Sequence, residues 1–214
     1  MEALMIPQEW KRDLKTAMAE ADGGTRLPLL IFTAKDCEGS QKTLNEVLTD
    51  DAVTAAIERE TVPVMVDIET HKELAEQFRV EWTPAFVICD CGGNQLERWE
   101  GYLPKEDFVP QLMLSKGLAA FHLQRFDETV RELEMLIEEH PASELVPQAE
   151  YYMGAASFKL TGETNRLSEA CRELIMTHPE SPWTKRCSIW GRRSNYFRPF
   201  VGYDGGGSAG SGAY

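Results

Sequence analysis

Three short apolar runs, separated by amphipathic segments, constrain this chain most. Leu27 to Thr33 is apolar almost throughout and follows the turn residues Asp22-Gly23-Gly24. Val62-Pro63-Val64-Met65-Val66-Asp67 and Ala85 to Cys89 have the same character. Runs this short, bounded by turn residues, read as buried strands. Between them apolar residues recur at helical spacing. Trp10, Leu14, Met18 and Ala21 predict a first helix from about Pro7 to Ala21. Leu44, Val47 and Leu48, then Val53, Ala56 and Ile57 after the break at Thr49-Asp50-Asp51, predict a divided second helix, and Glu69 to Phe78 a short third. Gly92-Gly93-Asn94 reads as a hairpin turn, Gln95 to Gly101 returns as a fourth strand, and a further helix begins near Lys105. The order α-β-α-β-α-β-β-α predicts an α/β domain with crossover helices first and an antiparallel hairpin closing the sheet.

Composition excludes several functions. With 22 Lys+Arg against 35 Asp+Glu, the chain of 214 residues carries a formal charge of −13. Such a surface repels phosphate backbones, so nucleic acid is not expected as a partner. The longest apolar stretches, such as Leu27 to Phe32, are far too short to span a bilayer. The start from Met1 to Arg12 turns polar before any apolar run long enough for a signal peptide. A cytoplasmic protein with no membrane partner is expected, its thiols reduced, and five cysteines, an odd number, argue against a disulfide framework. No phosphate loop, dinucleotide fingerprint, metalloprotease motif or nucleophile elbow is present, so no cofactor is expected.

Cys37-Glu38-Gly39-Ser40 follows the first strand and opens a helix, and Trp82-Thr83-Pro84 opens the third strand. Together with Phe32-Thr33-Ala34-Lys35-Asp36 before the cysteine and Val66-Asp67 in the middle strand, this wording resembles the thioredoxin-like domains with a split second helix. The resemblance covers residues 8–114. It implies a three-layer thioredoxin-like sandwich, with Cys37 as nucleophile, Ser40 where the resolving cysteine normally stands, and a cis proline at Pro84 beside the thiol. Backbone near Thr83 and Pro84, with Trp82, would then pair with an extended peptide. Ser40 can donate a hydrogen bond to a Cys37 thiolate but cannot form a disulfide with it, so Cys37 can capture a thiol partner without a local route of release. Ile31 stands where the family has a buried acid, Asp36 where a tryptophan is expected, and Gly39 where the motif has proline. Asp36 and Glu38 place negative charge near the thiol, opposed by Lys35. Cys37 is therefore read either as an active thiol or as a residue with no catalytic duty.

From about residue 113 the pattern becomes wholly helical and repeats. His140-Pro141-Ala142-Ser143 recurs as His178-Pro179-Glu180-Ser181, and Gly117 recurs as Gly154. Amphipathic helices precede each His-Pro: Phe126, Val130, Leu133, Leu136 and Ile137, then Leu167, Ala170, Leu174 and Ile175. This resembles two tetratricopeptide (TPR) repeats, with Thr129 where that family usually has alanine. Small residues let paired helices approach closely, and the proline ends each second helix. The expected organisation is residues 1–112 as the thioredoxin-like domain, 113–187 as two TPR-like repeats in an all-α helical-hairpin domain, and 188–214 as a tail. The last helix of the first domain is expected to run into the first repeat.

The remaining signals are weaker. Cys89 and Cys91 share one side of a strand and read as strand cysteines, with a redox dithiol or a relay to Cys37 as alternatives. No CxxC pair exists and His71, His122, His140 and His178 are scattered, so no metal is expected. Cys171 reads as core, and Cys187 has no assigned role. Residues 185–214 carry Lys185, Arg186, Arg192, Arg193 and Arg198 against Asp204 alone, with aromatics at Trp190, Tyr196, Phe197, Phe200 and Tyr203 and a glycine-rich end. This tail suits a disordered end, an engineered scar or a docking peptide anchored by Tyr214.

These features predict a protein-binding or adaptor module that engages a protein or peptide. The alternative is a monothiol redox protein exchanging disulfides or taking up glutathione through Cys37. As an enzyme it would be at most a thioredoxin-like thiol–disulfide oxidoreductase lacking the resolving cysteine.

Overall fold

The computed structural model describes residues 10–21 and 26–191. Helix α1 (Leu14–Ala21) leads to strand β1 (Leu27–Thr33), and helix α2 (Glu38–Lys42) runs on into a π-helical turn, Thr43–Val47. Helix α3 (Asp51–Glu60), strand β2 (Thr61–Asp67), helix α4 (Lys72–Gln77) and strands β3 (Ala85–Cys89) and β4 (Gln95–Glu100) complete the sheet domain. Five helices follow: α5 (Lys105–His122), α6 (Phe126–Glu139), α7 (Val146–Thr161), α8 (Thr164–Thr177) and α9 (Pro182–Gly191).

The sheet order is β2-β1-β3-β4, with β1 parallel to β2 and the other neighbours antiparallel. Alternation along the strands feeds two cores. Leu29, Ile31, Met65, Phe86, Ile88 and Trp99 pack with Val47, Ile57, Phe108 and Leu112 of the helices on one face. Leu30, Phe32, Val64, Val66, Val87 and Cys89 pack with Ala17, Ala21, Ala75 and Phe78 on the other. Every residue of β1 is buried, which is why its run is apolar without interruption. The divided second helix has a physical cause at Asp50. Its carboxylate accepts from the backbone N–H groups of Ala52 (3.0 Å) and Val53 (3.3 Å) and starts α3 anew. This is a thioredoxin-like fold followed by a mostly helical region.

One element departs from the sequence reading. The first helix begins at Leu14, not near Pro7, and Pro7–Glu9 lie outside the described residues. Lys11 instead extends the sheet: its N–H donates to the Pro63 carbonyl at 3.0 Å, and its own carbonyl accepts from Met65 at 3.2 Å. The free edge of β2 gains partners this way. Trp10, whose spacing suggested a helix, is buried against the core, and its indole N–H donates to Glu58 Oε1 at 2.8 Å.

Helix α5 joins the two parts. Phe108 and Leu112 lie in the sheet core, while Met113, Leu114 and Leu118 lie in the core of the helices. Pro110 sits within its early turns without ending it. At the crossing with α3 and α6, Lys116 pairs with Glu60 and, at 3.0 Å, with Glu132; all three side chains are largely buried.

The helical region repeats in geometry as in sequence. His140 (φ −130°, ψ 55°) closes α6 and His178 (φ −133°, ψ 56°) closes α8. Each histidine N–H donates to a leucine carbonyl four residues back, Leu136 or Leu174, at 2.9 Å. The serines three residues on, Ser143 and Ser181, donate to the histidine carbonyls at 3.0 and 3.1 Å. A Cβ at Gly117 would collide with the Leu133 side chain, and one at Gly154 with Ala170 Cβ. These glycines are where α5 meets α6 and α7 meets α8. Thr129 is fully buried, and its hydroxyl donates to the Arg125 carbonyl at 3.2 Å, so the hydroxyl in place of a methyl is satisfied.

The expectation of reduced thiols is corrected at two positions. Cys171 and Cys187 form a disulfide with Cα atoms 5.4 Å apart, while Cys37, Cys89 and Cys91 are free. Cys171 is core as expected, and the unassigned Cys187 is its partner. The tail beyond Gly191, including the aromatics from Tyr196 on and the proposed Tyr214 anchor, lies outside the described residues.

Candidate functional site

Cys37 ends the loop after β1 and caps α2, with extended backbone (φ −103°, ψ 119°) and its carbonyl accepting from Gln41 N–H at 3.0 Å. Thr83-Pro84 opens β3, the strand antiparallel to β1, so both loops emerge at the same end of the sheet. The Thr83–Pro84 peptide is cis. Cys37 Sγ lies 3.0 Å from the Thr83 carbonyl oxygen, where the thiol donates. The fold thus brings Cys37, Ser40, Thr83 and Pro84 together, and leaves the adjacent Trp82 largely in solvent, 68% exposed.

The thiol pKa is lowered. The leading cause is a hydrogen bond from the Thr83 side chain, followed by the Ser40 backbone N–H. Partial burial opposes these, while the Ser40 hydroxyl and Gly39 N–H add to them. The contact to the Thr83 carbonyl works the other way, because a carbonyl can accept only from the protonated thiol. The acidic neighbours are not prominent in this balance. Glu38 turns along the helix to Lys42 at 3.4 Å.

Ser40 is fully buried, and its hydroxyl oxygen accepts from Ala34 N–H at 3.1 Å. It holds the loop before the cysteine as well as facing the sulfur. Gly39 is the member that sequence reasoning passed over, noting only an absent proline. A Cβ there would lie 3.1 Å from Pro84 Cδ and 3.9 Å from Cys37 Sγ. The missing side chain lets α2 approach the proline; the signal was a glycine two residues after the motif cysteine. Ile31 is wholly buried in the core, so its position offers no acid for proton transfer to the thiol.

A cavity of about 330 Å3 opens beside this loop at the carboxyl ends of β1 and β2. Arg12, Lys35, Gln41, Asp67 and His71 are among its lining residues. Gln41 Nε2 donates to the Lys35 carbonyl at 3.1 Å, tying the cavity wall to the segment that carries Cys37.

The other cysteines do not join the site. β3 starts at the cis proline and ends at Cys89, so Cys89 sits at the far end of the strand from Cys37. A relay between them is excluded by that topology. Burial, reinforced by Asp90 and Cys91, pushes the Cys89 thiol up to about 12. Cys91 packs against the same core face and is free. Among the described residues no group of three or more His, Cys, Asp and Glu could hold a metal ion. No described helix is long and apolar enough to cross a membrane.

Residues 14–114 match the family model described as a thioredoxin-like domain. The fold and that match define residues 14–114 as a thioredoxin-like domain. No curated protein matches the chain. Among solved structures it is similar to a thioredoxin from Thermus thermophilus, at 25% identity and a TM-score of 0.43, covering 49% of this chain and 85% of that one. It is also similar to the oxidised C-terminal domain of DsbD from Neisseria meningitidis (18% identity, TM-score 0.43, 50% and 98% covered). A DsbH oxidoreductase matches at 18% identity and a TM-score of 0.44, with 54% and 90% covered.

Proposed function

We infer that this chain is a partner-holding module, in which Cys37 grips a protein or peptide partner by exchange with its disulfide and the helices, read as two TPR-like repeats, supply further binding surface. The observation that carries this reading is the meeting of Cys37 Sγ with Thr83 while a buried hydroxyl, Ser40, occupies the resolving position. Capture is an exchange. The Cys37 thiolate attacks a partner disulfide, a bond forms from Sγ to one partner sulfur, and the other partner sulfur leaves as thiolate. No second thiol lies in the motif to attack Cys37 Sγ and displace the partner, so the mixed disulfide has no local route of release. Trp82, exposed beside the thiol, offers an aromatic face to the bound segment.

The test is a pull-down under non-reducing conditions with the chain intact and with Cys37→Ala. A defined set of adducts that the substitution abolishes supports the reading. Partners recovered equally by both forms would leave binding without a role for the thiol, and no partner with either form would reject it.

A second reading is turnover with glutathione. The cavity beside the loop favours it, because Arg12 and Lys35 could meet the tripeptide's carboxylates. Efficient, repeated reduction of a glutathione mixed disulfide, with loss on Arg12→Ala, would select this reading over stable capture. The expected setting is cytoplasmic. The Cys171–Cys187 bond weighs against that, because structural disulfides are rare in reducing compartments.

A further inference from the structure

Among the described residues, helix α9 is held to α7 and α8 over a small core. The cluster beneath it has three fully buried members, Cys171, Leu174 and Cys187, with Tyr151 and Trp190 partly covered. The neighbouring cluster, between α5, α6 and α7, is built on seven buried residues, including Leu114, Leu133 and Leu136. Two of the three buried residues between α8 and α9 are therefore the halves of one disulfide. Its other ties to α8 are side-chain hydrogen bonds. Thr184 Oγ1 donates to the Leu174 carbonyl at 3.2 Å and to that of the C-cap His178 at 2.6 Å, and Ser168 Oγ to the Trp190 carbonyl at 3.1 Å. Trp190 stacks on Tyr151 at 4.4 Å, and Trp183 lies 5.1 Å from the same ring.

We propose that the Cys171–Cys187 bond is a second redox site, a latch that a dithiol reductant opens to free α9 from the aromatic face of α7. A thiolate of the reductant attacks one sulfur. The Cys171–Cys187 bond breaks as a mixed disulfide forms, and the other cysteine leaves as thiolate. The reductant's second thiol then displaces the first cysteine and closes the reductant's own disulfide. The two protons of the dithiol end on Cys171 and Cys187, so the chain gains two electrons and two protons.

Both sulfurs are fully buried, so exchange requires α9 to open first. A short helix over so small a core belongs to the low-stability end of a fold. Once the bond is gone, the covalent limit on that opening is gone too, and residues 182–191 no longer close a short loop back to α8. What opening uncovers is Tyr151, which Trp183 and Trp190 otherwise cover. This proposal does not depend on the role of Cys37.

The test uses the full chain carrying Cys37→Ser, before and after dithiothreitol, with the thiols counted by alkylation and mass spectrometry. Amide exchange over 182–191 is expected to accelerate at least about tenfold on reduction, with 27–33 and 126–139 changing less than about twofold. Reoxidation restores protection. Fluorescence of Trp183 and Trp190 follows the same change, and the Cys171→Ala/Cys187→Ala chain reproduces the reduced state. A smaller acceleration over 182–191 overturns the proposal, as does one spread through α5 to α8. So does a chain whose two cysteines stay unpaired under oxidising glutathione. If the double variant fails to fold, reduction of the parent chain still decides.

Discussion

The sulfur of Cys37 and the carbonyl oxygen of Thr83 lie 3.0 Å apart, so the start of α2 and the start of β3 meet at one point. The contact joins residues far apart in the chain, and it needs Gly39 to let the helix approach Pro84. The neutral thiol donates to that carbonyl, whereas the thiolate draws on the Thr83 hydroxyl and on Ser40. The donors to the thiolate prevail, and the Cys37 pKa is lowered.

Cys37 should be alkylated with a midpoint below the value of about 8.5 for a free cysteine. Thr83→Val, which keeps the branched shape and removes the leading donor, should move the midpoint upward. Iodoacetamide reaction rates from pH 5 to 10 measure both. A thiol whose folded pKa is lowered contributes stability above its unfolded pKa, and that contribution is lost as pH falls through the folded value. Cys37→Ala should flatten this part of the stability profile. Midpoints that coincide in the parent and Thr83→Val chains would remove Thr83 from the site.

Ser40→Cys restores a motif with two thiols. The variant chain should reduce insulin over many turnovers where the parent does not, and adducts trapped by the parent should be released. The side chain is buried and accepts from Ala34, so the variant is expected to lose about 1 kcal/mol of stability. Unchanged insulin reduction would show that the serine is not what limits turnover.

Lys116 lies between two largely buried carboxylates, Glu60 and Glu132. Burial raises the Glu60 pKa, but hydrogen bonds from Lys116 and Arg59 outweigh it and hold the carboxyl below its usual range. Its contribution to stability is present above the unfolded pKa and fades as pH falls through the folded value. Lys116→Met leaves two carboxylates without their shared cation and should cost about 3 kcal/mol at neutral pH. Across the acid range the slope should then reverse, the variant gaining stability as its carboxylates protonate. Urea unfolding at pH 4 and pH 7 tests both statements.

Gly154→Ala places a Cβ against Ala170 Cβ, a short side chain that cannot turn aside. Separating α7 from α8 should cost about 1–3 kcal/mol despite the better helix propensity of alanine. Gly162→Ala is the contrast. Its φ of +71° is strained for alanine, but open space surrounds it, so it perturbs the C-cap of α7 and not the packing of the helices. Thermal unfolding of the two variants, with crystallographic or NMR comparison of the α7–α8 spacing, separates the effects.

The sequence by itself determined the strands, the divided second helix and the repeated His-Pro helix ends. Each of these is written in local chemistry: an apolar run, an Asp cap, a small residue at a helix crossing, a proline after a last turn. Tertiary structure decided what distant residues do on meeting. It made Trp10 and Lys11 an extension of the β2 edge, put Cys89 at the far end of the strand from Cys37, set Lys116 between Glu60 and Glu132, and joined Cys171 to Cys187. Periodicity states which side of an element is apolar, but not which element packs there. A pairing across a core exists only once burial has fixed how the two elements sit against each other.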